Sequence, residues 1–350
     1  MRTEKFILDD ARQIQQWDDF VRSHPRGTPF HTSAWLEIIR KTYNYHPVLY
    51  AFINDSNEIE GIFPCFHVKS FITGNRLVSI PFSDYGGPLV LDGKVSCDDL
   101  LNALGSYRKG CNCFEVRCDL SPQLGFVFHN HYKCHVLELN SDPDRVLEKI
   151  DRRTTRYSIR KAKKSGIEIR PVNTLEGMKQ FFRLNIMTRK KHGLPSQPWA
   201  FFKNIYTYLI EKHQAFLLLA FDSAKVISAG LFIKFRNTIF YKYNASDPDS
   251  LSKKSPNHLL TWHAIEEACQ GGFRFFDFGR TATVNHGLTK YKELWGAQPV
   301  DLPYSYYPTI RTFKPSTENA LQYRVFTEIC RHVPDDWLTA FGAKIYRHIG

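Results

Sequence analysis

The feature that most limits what this chain can fold into is a layout that occurs twice. YAFINDSNEIEGIF (residues 50–63) and LAFDSAKVISAGLF (residues 219–232) are both apolar strands broken by Asp-Ser. Each resumes into a small residue followed by Ile-Phe or Leu-Phe. Hairpins converge easily, so one such match says little. Here each hairpin follows two amphipathic helices, read at 10–24 and 32–43 in the first half and at 175–193 and 198–213 in the second. A repeated helix–helix–hairpin plan predicts two α/β units of like design.

The hairpin of the first half turns on Asp55–Asn57. Two further strands are expected in NRLVSIPF (75–82) and CFEVRCDL (113–120), with the loop SDYGGPLV between them. In the second half a basic helix, RRTTRYSIRKAKKSG (152–166), leads into the strand IEIRPV. Residues 215–246 then scan as three antiparallel strands joined at Asp222–Lys225 and Arg236–Asn237. A polar loop follows, then a helix in SPNHLLTWHAIEEACQ with Ser255 as N-cap, Pro256 in its first turn and Gly271-Gly272 as its stop. The next strand is FRFFDFG (273–279), and the intervening helix makes it a parallel neighbour of TIFYKYNAS (238–246).

With 43% hydrophobic and 23% charged residues, the chain has the balance of a globular protein. No apolar run approaches the roughly 18–20 residues that cross a bilayer. The opening residues hold no signal-peptide core, so a cytoplasmic protein is expected. The net charge of +12 favours anionic partners such as RNA, nucleotides or phosphate-bearing lipids. Eight cysteines in such a chain point to reduced thiols. Cys111, Cys113 and Cys118 precede His129, His131, Cys134 and His135, but C-x-C and H-x-H fit no usual zinc spacing. Strand alternation would also send neighbours to opposite faces, so buried thiols are expected there and no metal.

Asp277-Phe278-Gly279 carries the letters that hold magnesium in a kinase. It lacks the companions a kinase needs, and no nucleotide-binding glycine motif is present. Asp277 is therefore the polar end of a strand. What surrounds it is more telling: RKKHGLPSQPWAFF, IFYKYNAS, SPNHLLTWHAIEEA, FDFGR and GLTKYKELWGA occur in that order. This set resembles the Fem-type aminoacyl and peptidyl transferases, FemAB-related proteins of the GNAT-like (BioF2-like acetyltransferase domain) superfamily. The resemblance covers residues 28–300 and is strongest from 150 onward.

The resemblance implies an α/β (α+β) fold of two tandem GNAT-like domains with mixed sheets flanked by helices. Residues 1–145 and 146–305 would be the domains, and 306–350 a tail on domain 1 or on a membrane surface. It implies transfer of an acyl or aminoacyl group from an ester or thioester to an amine of a cell-envelope or exopolysaccharide precursor. Acyl-CoA and aminoacyl-tRNA remain open as co-substrates, no tightly bound cofactor or metal is expected, and the substrate cleft would lie between the domains. Aminolysis needs approximated reactants, a neutral amine and stabilisation of the oxyanion. Lys292 matches the lysine of the family's Phe-Lys pair, here Tyr291-Lys292, and could steady that charge; otherwise it is an exposed helix lysine.

Asp119 matches a carboxylate of the family's acceptor site, with Arg117 on the same strand face; it could orient the amine, act as base, or merely start a turn. Tyr241 and Tyr243 would share one face and line the cleft or the core. Trp35 matches a tryptophan near the acceptor pocket and equally fits the buried stripe of its helix. Asn257 and His258 open a helix where a coenzyme-A enzyme would present its pyrophosphate loop, but the R-x-x-G-x-G/A pattern is absent. Arg153, Arg156, Arg160 and Lys163/Lys164 would form one basic helix face for phosphate. Gln197 stands where relatives acting on nucleotide-linked precursors carry an arginine, which argues for a different acceptor.

In the tail, Val325, Phe326, Ile329, Trp337, Leu338, Phe341 and Ile345 alternate with Arg324, Arg331, Lys344 and Arg347. That pattern fits a cap or a helix lying peripherally on the inner face of a membrane. A second reading, from a different class, is a non-catalytic module that binds RNA or lipid phosphate through the basic surface.

Overall fold

The computed structural model describes residues 1–107, 110–120, 125–307 and 321–350. The side chains of Arg324 and Val325, part of the expected tail pattern, lie outside the described residues. In chain order the first elements are β1 (Arg2–Phe6), α1 (Ala11–Ser23), α2 (Ser33–Tyr43), β2 (His46–Ile53), β3 (Ile59–Ser70), β4 (Gly74–Val78), β5 (Leu89–Val90), α3 (Cys97–Leu104) and β6 (Cys113–Val116). Next come β7 (Val127–Glu138), α4 (Pro143–Lys149), α5 (Thr155–Lys164), β8 (Ile167–Pro171), α6 (Leu175–Lys191) and α7 (Trp199–Ile205). The chain continues with β9 (Ala215–Asp222), β10 (Lys225–Phe235), β11 (Thr238–Ser246), α8 (Pro248–Lys254), α9 (Pro256–Gln270) and β12 (Phe275–Ala282). The last are α10 (His286–Glu293), β13 (Gln298–Tyr307), α11 (Leu321–His332) and α12 (Asp335–Ile349).

Two compact units result. Unit 1 is Met1–His131, Leu302–Ser316 and Lys344–Gly350; unit 2 is Tyr132–Asp301 and Thr317–Ala343. In unit 1 the strand order is β1-β2-β3-β4-β6-β13, with β5 beside the start of β3. α1 begins because the Asp10 carboxylate accepts from the Arg12 and Gln13 N–H groups, and it buries Trp17, Phe20 and Val21. The β2–β3 hairpin closes where the Asn54 side chain accepts from Ser56 and Glu58 N–H and Asn57 takes a left-handed φ of 64°.

Unit 2 is a sheet of order β7-β12-β11-β10-β9-β8 with helices on both faces. α4, α5 and α9 pack on one face through Val146, Ile159, Leu260 and Ile265, against Leu218, Phe232 and Phe276 of the sheet. α6 and α7 cover the other, where Phe201 and Phe202 meet Tyr243 edge-on at 6.0 and 5.8 Å. β8 to β11 are antiparallel neighbours and β12 runs parallel to β11. The stretch before α9 is not a polar loop but the helix α8, started by the Asp247 side chain accepting from Asp249 N–H. Ser255 does occupy the cap position of α9, yet in a left-handed conformation and without a side-chain cap bond.

Against the expectation of a tail on the first domain, α11 packs on α6, and Lys190 pairs with Asp335 at 2.8 Å, all within unit 2. Lys344–Gly350 belongs to unit 1, where Tyr45 Oη donates to the Tyr346 carbonyl (3.2 Å) and Arg76 to that of Gly350 (2.7 Å). No helix among the described residues is long and apolar enough to cross a membrane.

Candidate active site

In unit 2 the sheet opens between β11 and β12. Their parallel pairing covers Thr238–Phe240 against Phe275–Asp277 and stops, although β11 continues to Ser246 and β12 to Ala282. The cause is visible on the other edge of β12. Asp277 faces Val136 and Arg280 faces Cys134, so Phe278 and Gly279 stand opposite the single residue His135. This is a β-bulge, and Gly279 supplies its left-handed residue at φ 73°. The Asp277 carboxylate accepts from Gly279 N–H at 2.7 Å, which locks the turn. The Asp-Phe-Gly motif is thus a bulge that bends a strand.

Lys292 fills the space beside that bulge. It is 5% exposed, and its Nζ donates to the Gly279 carbonyl at 2.7 Å and the Arg280 carbonyl at 3.4 Å. The reading of an exposed helix lysine does not hold, because α10 turns this residue into the protein. Next to it lies His135, fully buried, with neither ring nitrogen hydrogen-bonded among the described residues. Burial, reinforced by the Lys292 charge, pushes the His135 pKa down to about 4. The imidazole is therefore neutral at physiological pH beside a buried ammonium.

Tyr291, the preceding residue, faces the start of α9. Its ring meets His258 at 5.5 Å and Trp295 at 6.3 Å. Burial raises its phenol pKa, and the same cause raises that of Tyr241, so both stay protonated and can donate. The Tyr241 hydroxyl accepts from Asn244 Nδ2 (2.7 Å) and from Thr261 Oγ1 (3.5 Å). Burial pushes His258 down to about 4. The result is a wall of neutral hydrogen-bonding groups at the parting strands, with one cation behind it.

Several expected site residues are used differently. Tyr241 and Tyr243 do not share a face. A bulge sets Tyr241 opposite Phe232 but Tyr243 opposite Leu231, leaving Lys242 as the extra residue. Tyr241 then stacks on Phe232 at 4.6 Å, while Tyr243 turns to α7. Asn257 presents no pyrophosphate site: its Oδ1 accepts from Ser228 (2.5 Å) and Ser246 (2.6 Å), and its Nδ2 donates to Asn244 (3.0 Å). Gln197 is 7% exposed, and its carbonyl accepts from Ser196 Oγ at 2.9 Å.

The basic face of α5 is smaller than the spacing suggested. Arg153 lies in the turn before the helix, and Arg156 folds back onto the end of α4. Its Nε donates to the Ile150 carbonyl at 2.8 Å and its Nη2 to that of Glu148. Arg160, Lys163 and Lys164 remain exposed.

Unit 1 holds the other group. β6 ends at Val116, so alternation does not carry on to residue 119: Arg117 is 7% exposed whereas Asp119 is exposed. Arg117 grips the loop Ser79–Gly87, donating to the Ser83 carbonyl at 2.5 Å and pairing with Glu115 at 3.2 Å. The Tyr304 hydroxyl donates to the Asp84 carbonyl (2.9 Å), and His31 Nε2 lies 3.1 Å from that of Gly87. Trp35, fully buried, packs edge-on to Phe30, which stacks on Tyr85 of the loop. Within the loop Ile80 and Phe82 hold φ of 42° and 59°. Non-glycine residues resist that region, and such strain persists where surrounding contacts over-determine it, often at binding sites. Sequence reasoning read SDYGGPLV only as a connection and extended the preceding strand to Phe82, whereas β4 ends at Val78 and the strained loop begins there. It also missed His135, which stands opposite the bulge and feels the Lys292 charge.

Residues 151–293, which hold β11, α9, β12 and Lys292, match the acetyltransferase (GNAT) domain family. A curated relative, the lipid II:glycine glycyltransferase of Staphylococcus haemolyticus, is 23% identical over 235 residues, covering 59% of this chain and 53% of that protein. The crystal structure of FemX superposes with a TM-score of 0.69 at 18% identity, over 87% of this chain and 97% of that one. The chain is thus similar to Fem-type transferases, and its second half matches a GNAT domain. A tandem GNAT protein from the clavulanic acid biosynthesis pathway aligns at a TM-score of 0.58 with 11% identity, over 87% of this chain and 97% of its own. The C-terminal domain of a putative lysylphosphatidylglycerol synthetase from Agrobacterium fabrum gives 0.57 at 11%, over 85% and 92%. The match to the curated glycyltransferase spans about half of that protein's length.

Proposed function

We propose that this protein is a Fem-type aminoacyltransferase that moves an aminoacyl group from an activated ester to an amine of a cell-wall precursor. The observation that carries the reading is the parted β11–β12 pair inside the GNAT match, with the Lys292 ammonium buried at the bulge beside it. The name of the staphylococcal relative supports a lipid-linked cell-wall acceptor.

In the proposed reaction the acceptor amine attacks the ester carbonyl and loses a proton, and the departing hydroxyl gains one. A fixed cation in a site of low dielectric stabilises the oxyanion of the tetrahedral intermediate without reorganising at the moment of reaction. The neutral hydroxyls of Tyr241 and Tyr291 are the groups we assign to positioning the donor. Taken by itself, unit 1 offers the strained loop Ser79–Gly87, held by Arg117, and the exposed carboxylate of Asp119, and these are the groups we assign to the acceptor. An aminoacyl-tRNA donor is favoured over acyl-CoA by α8. The segment that would wrap a pyrophosphate with a glycine-rich turn is a capped helix, and Asn257 is committed to Ser228, Ser246 and Asn244.

The test is transfer of a labelled amino acid from charged tRNA to a lipid-linked muropeptide by the wild type and by Lys292→Met, each checked for folding by circular dichroism. A loss of about 100- to 1,000-fold in kcat/KM with the fold intact is expected for one oxyanion-stabilising group. Unchanged turnover in Lys292→Met would remove this lysine from the mechanism. Transfer from acyl-CoA but not from tRNA would overturn the donor assignment.

A further inference from the structure

The turn between β3 and β4 carries two large apolar side chains where solvent is most accessible. Phe71 is 87% exposed and Ile72 54%. Turn tips are normally polar, and a protruding aromatic–aliphatic pair is energetically misplaced in water. The turn is also firmly built. Ser70 Oγ accepts from the Ile72 and Thr73 N–H groups, and Thr73 Oγ1 donates to the His348 carbonyl at 2.7 Å. The Phe71 ring meets that of His348 at 4.3 Å, which brings the end of α12, with Ile349 47% exposed, to the same tip.

The charges carried by the segments that form this tip are of one sign. Residues 61–83 and 344–350 contain no Asp or Glu and include Lys69, Lys344 and Arg347, all exposed. We propose that the β3–β4 turn, with Phe71 and Ile72 at its apex and Lys69, Arg347 and Lys344 around it, is a docking site for an anionic lipid surface. Three features favour a membrane over a protein partner. The apolar groups protrude as a wedge and form no groove. Two side chains fall far below the roughly 1,000 Å² that a stable protein interface buries. Apolar groups that enter about 5–10 Å below the headgroups, ringed by cations, match the physics of an interfacial anchor. The inference stands apart from the transferase reading, since lipid binding is measured without turnover.

The experiment is co-sedimentation of the full chain with sucrose-loaded vesicles of phosphatidylcholine, or of phosphatidylcholine mixed with phosphatidylglycerol. Binding to the mixed vesicles, and little to phosphatidylcholine alone, is expected. The double variant Phe71→Ser/Ile72→Ser should bind at least about tenfold more weakly, because several buried methylenes are lost. Lys69→Gln and Arg347→Gln should each weaken binding roughly fivefold and flatten its salt dependence. The melting temperature of the double variant should match that of the wild type, since both side chains are exposed. Failure of the wild type to bind the mixed vesicles overturns the proposal, as does a double variant that binds them equally well. A self-association seen by light scattering that the double variant abolishes, with vesicle binding unchanged, assigns the tip to a second copy of the chain instead.

Discussion

Taking an ammonium out of water costs several kcal/mol, and at Lys292 the carbonyls of Gly279 and Arg280 offset that cost. Those carbonyls point at Nζ because Gly279 adopts a φ of 73°, which a residue with a Cβ resists by roughly 1–2 kcal/mol. Gly279→Ala should therefore lower unfolding stability in urea by about 1–2 kcal/mol, and it should also lower kcat by displacing the lysine's anchor. An alanine variant as stable as the wild type would show that the bulge is not held by its glycine. Lys292 stood out in the sequence by its place after the Asp-Phe-Gly strand. Its burial was not, because the sequence of an eight-residue helix does not say which side meets a bulge.

At the scale of elements, α5 divides its cations between two jobs. Arg156 closes the carbonyl end of α4, whereas Arg160 and Lys164 face solvent. Arg156→Ala should cost about 1–2 kcal/mol of stability, as expected when charged hydrogen bonds to the partly exposed carbonyls at the end of α4 are lost. Arg160→Ala should leave the melting curve unchanged and weaken retention on a polyanion column. If the two variants exchange these phenotypes, the assignment is wrong. Element identities were largely legible: the hairpin at Asn54–Glu58, the helix from Pro256 and the parallel strand from Phe275 all follow from caps, turn residues and periodicity. The misreadings cluster where alternation is interrupted. One extra residue at Lys242 sends Tyr241 and Tyr243 to opposite faces, and the end of β6 at Val116 separates Arg117 from Asp119. A bulge leaves almost no local signature unless a glycine marks it.

Among the histidines that burial pushes down, three are displaced furthest. Burial pushes His31 of unit 1 and His135 and His258 of unit 2 down to about 4, from an ordinary value of 6.5. Because the folded values lie below the unfolded ones, the unfolded chain binds protons first as the pH falls. Their contribution to stability is intact above about pH 6.5 and is lost progressively as the pH drops toward 4. Denaturation between pH 7 and 5 should show an uptake on unfolding that approaches three protons from these groups, and His135→Phe should reduce it by one. A stability that is flat across that interval contradicts the burial-driven shifts. The net charge of +12 predicts retention on a polyanion column that falls steeply with salt, and retention that salt does not change would contradict it.

The residues alone determined the kinds of element and their order. Capping groups, turn formers and apolar periods act within a few positions, and the two helix–helix–hairpin plans are made of such local signals. The order of motifs around Asp277 and Lys292 likewise belongs to the sequence. Only the tertiary structure decided which side chains meet. His135 lies 157 positions before Lys292 and feels its charge, opposite a bulge in the neighbouring strand that leaves one residue facing two. Arg117 stands far in sequence from Tyr304, and both hold the same strained loop. Contacts of that kind depend on strand register and bulges, which many residues set together and no short stretch encodes.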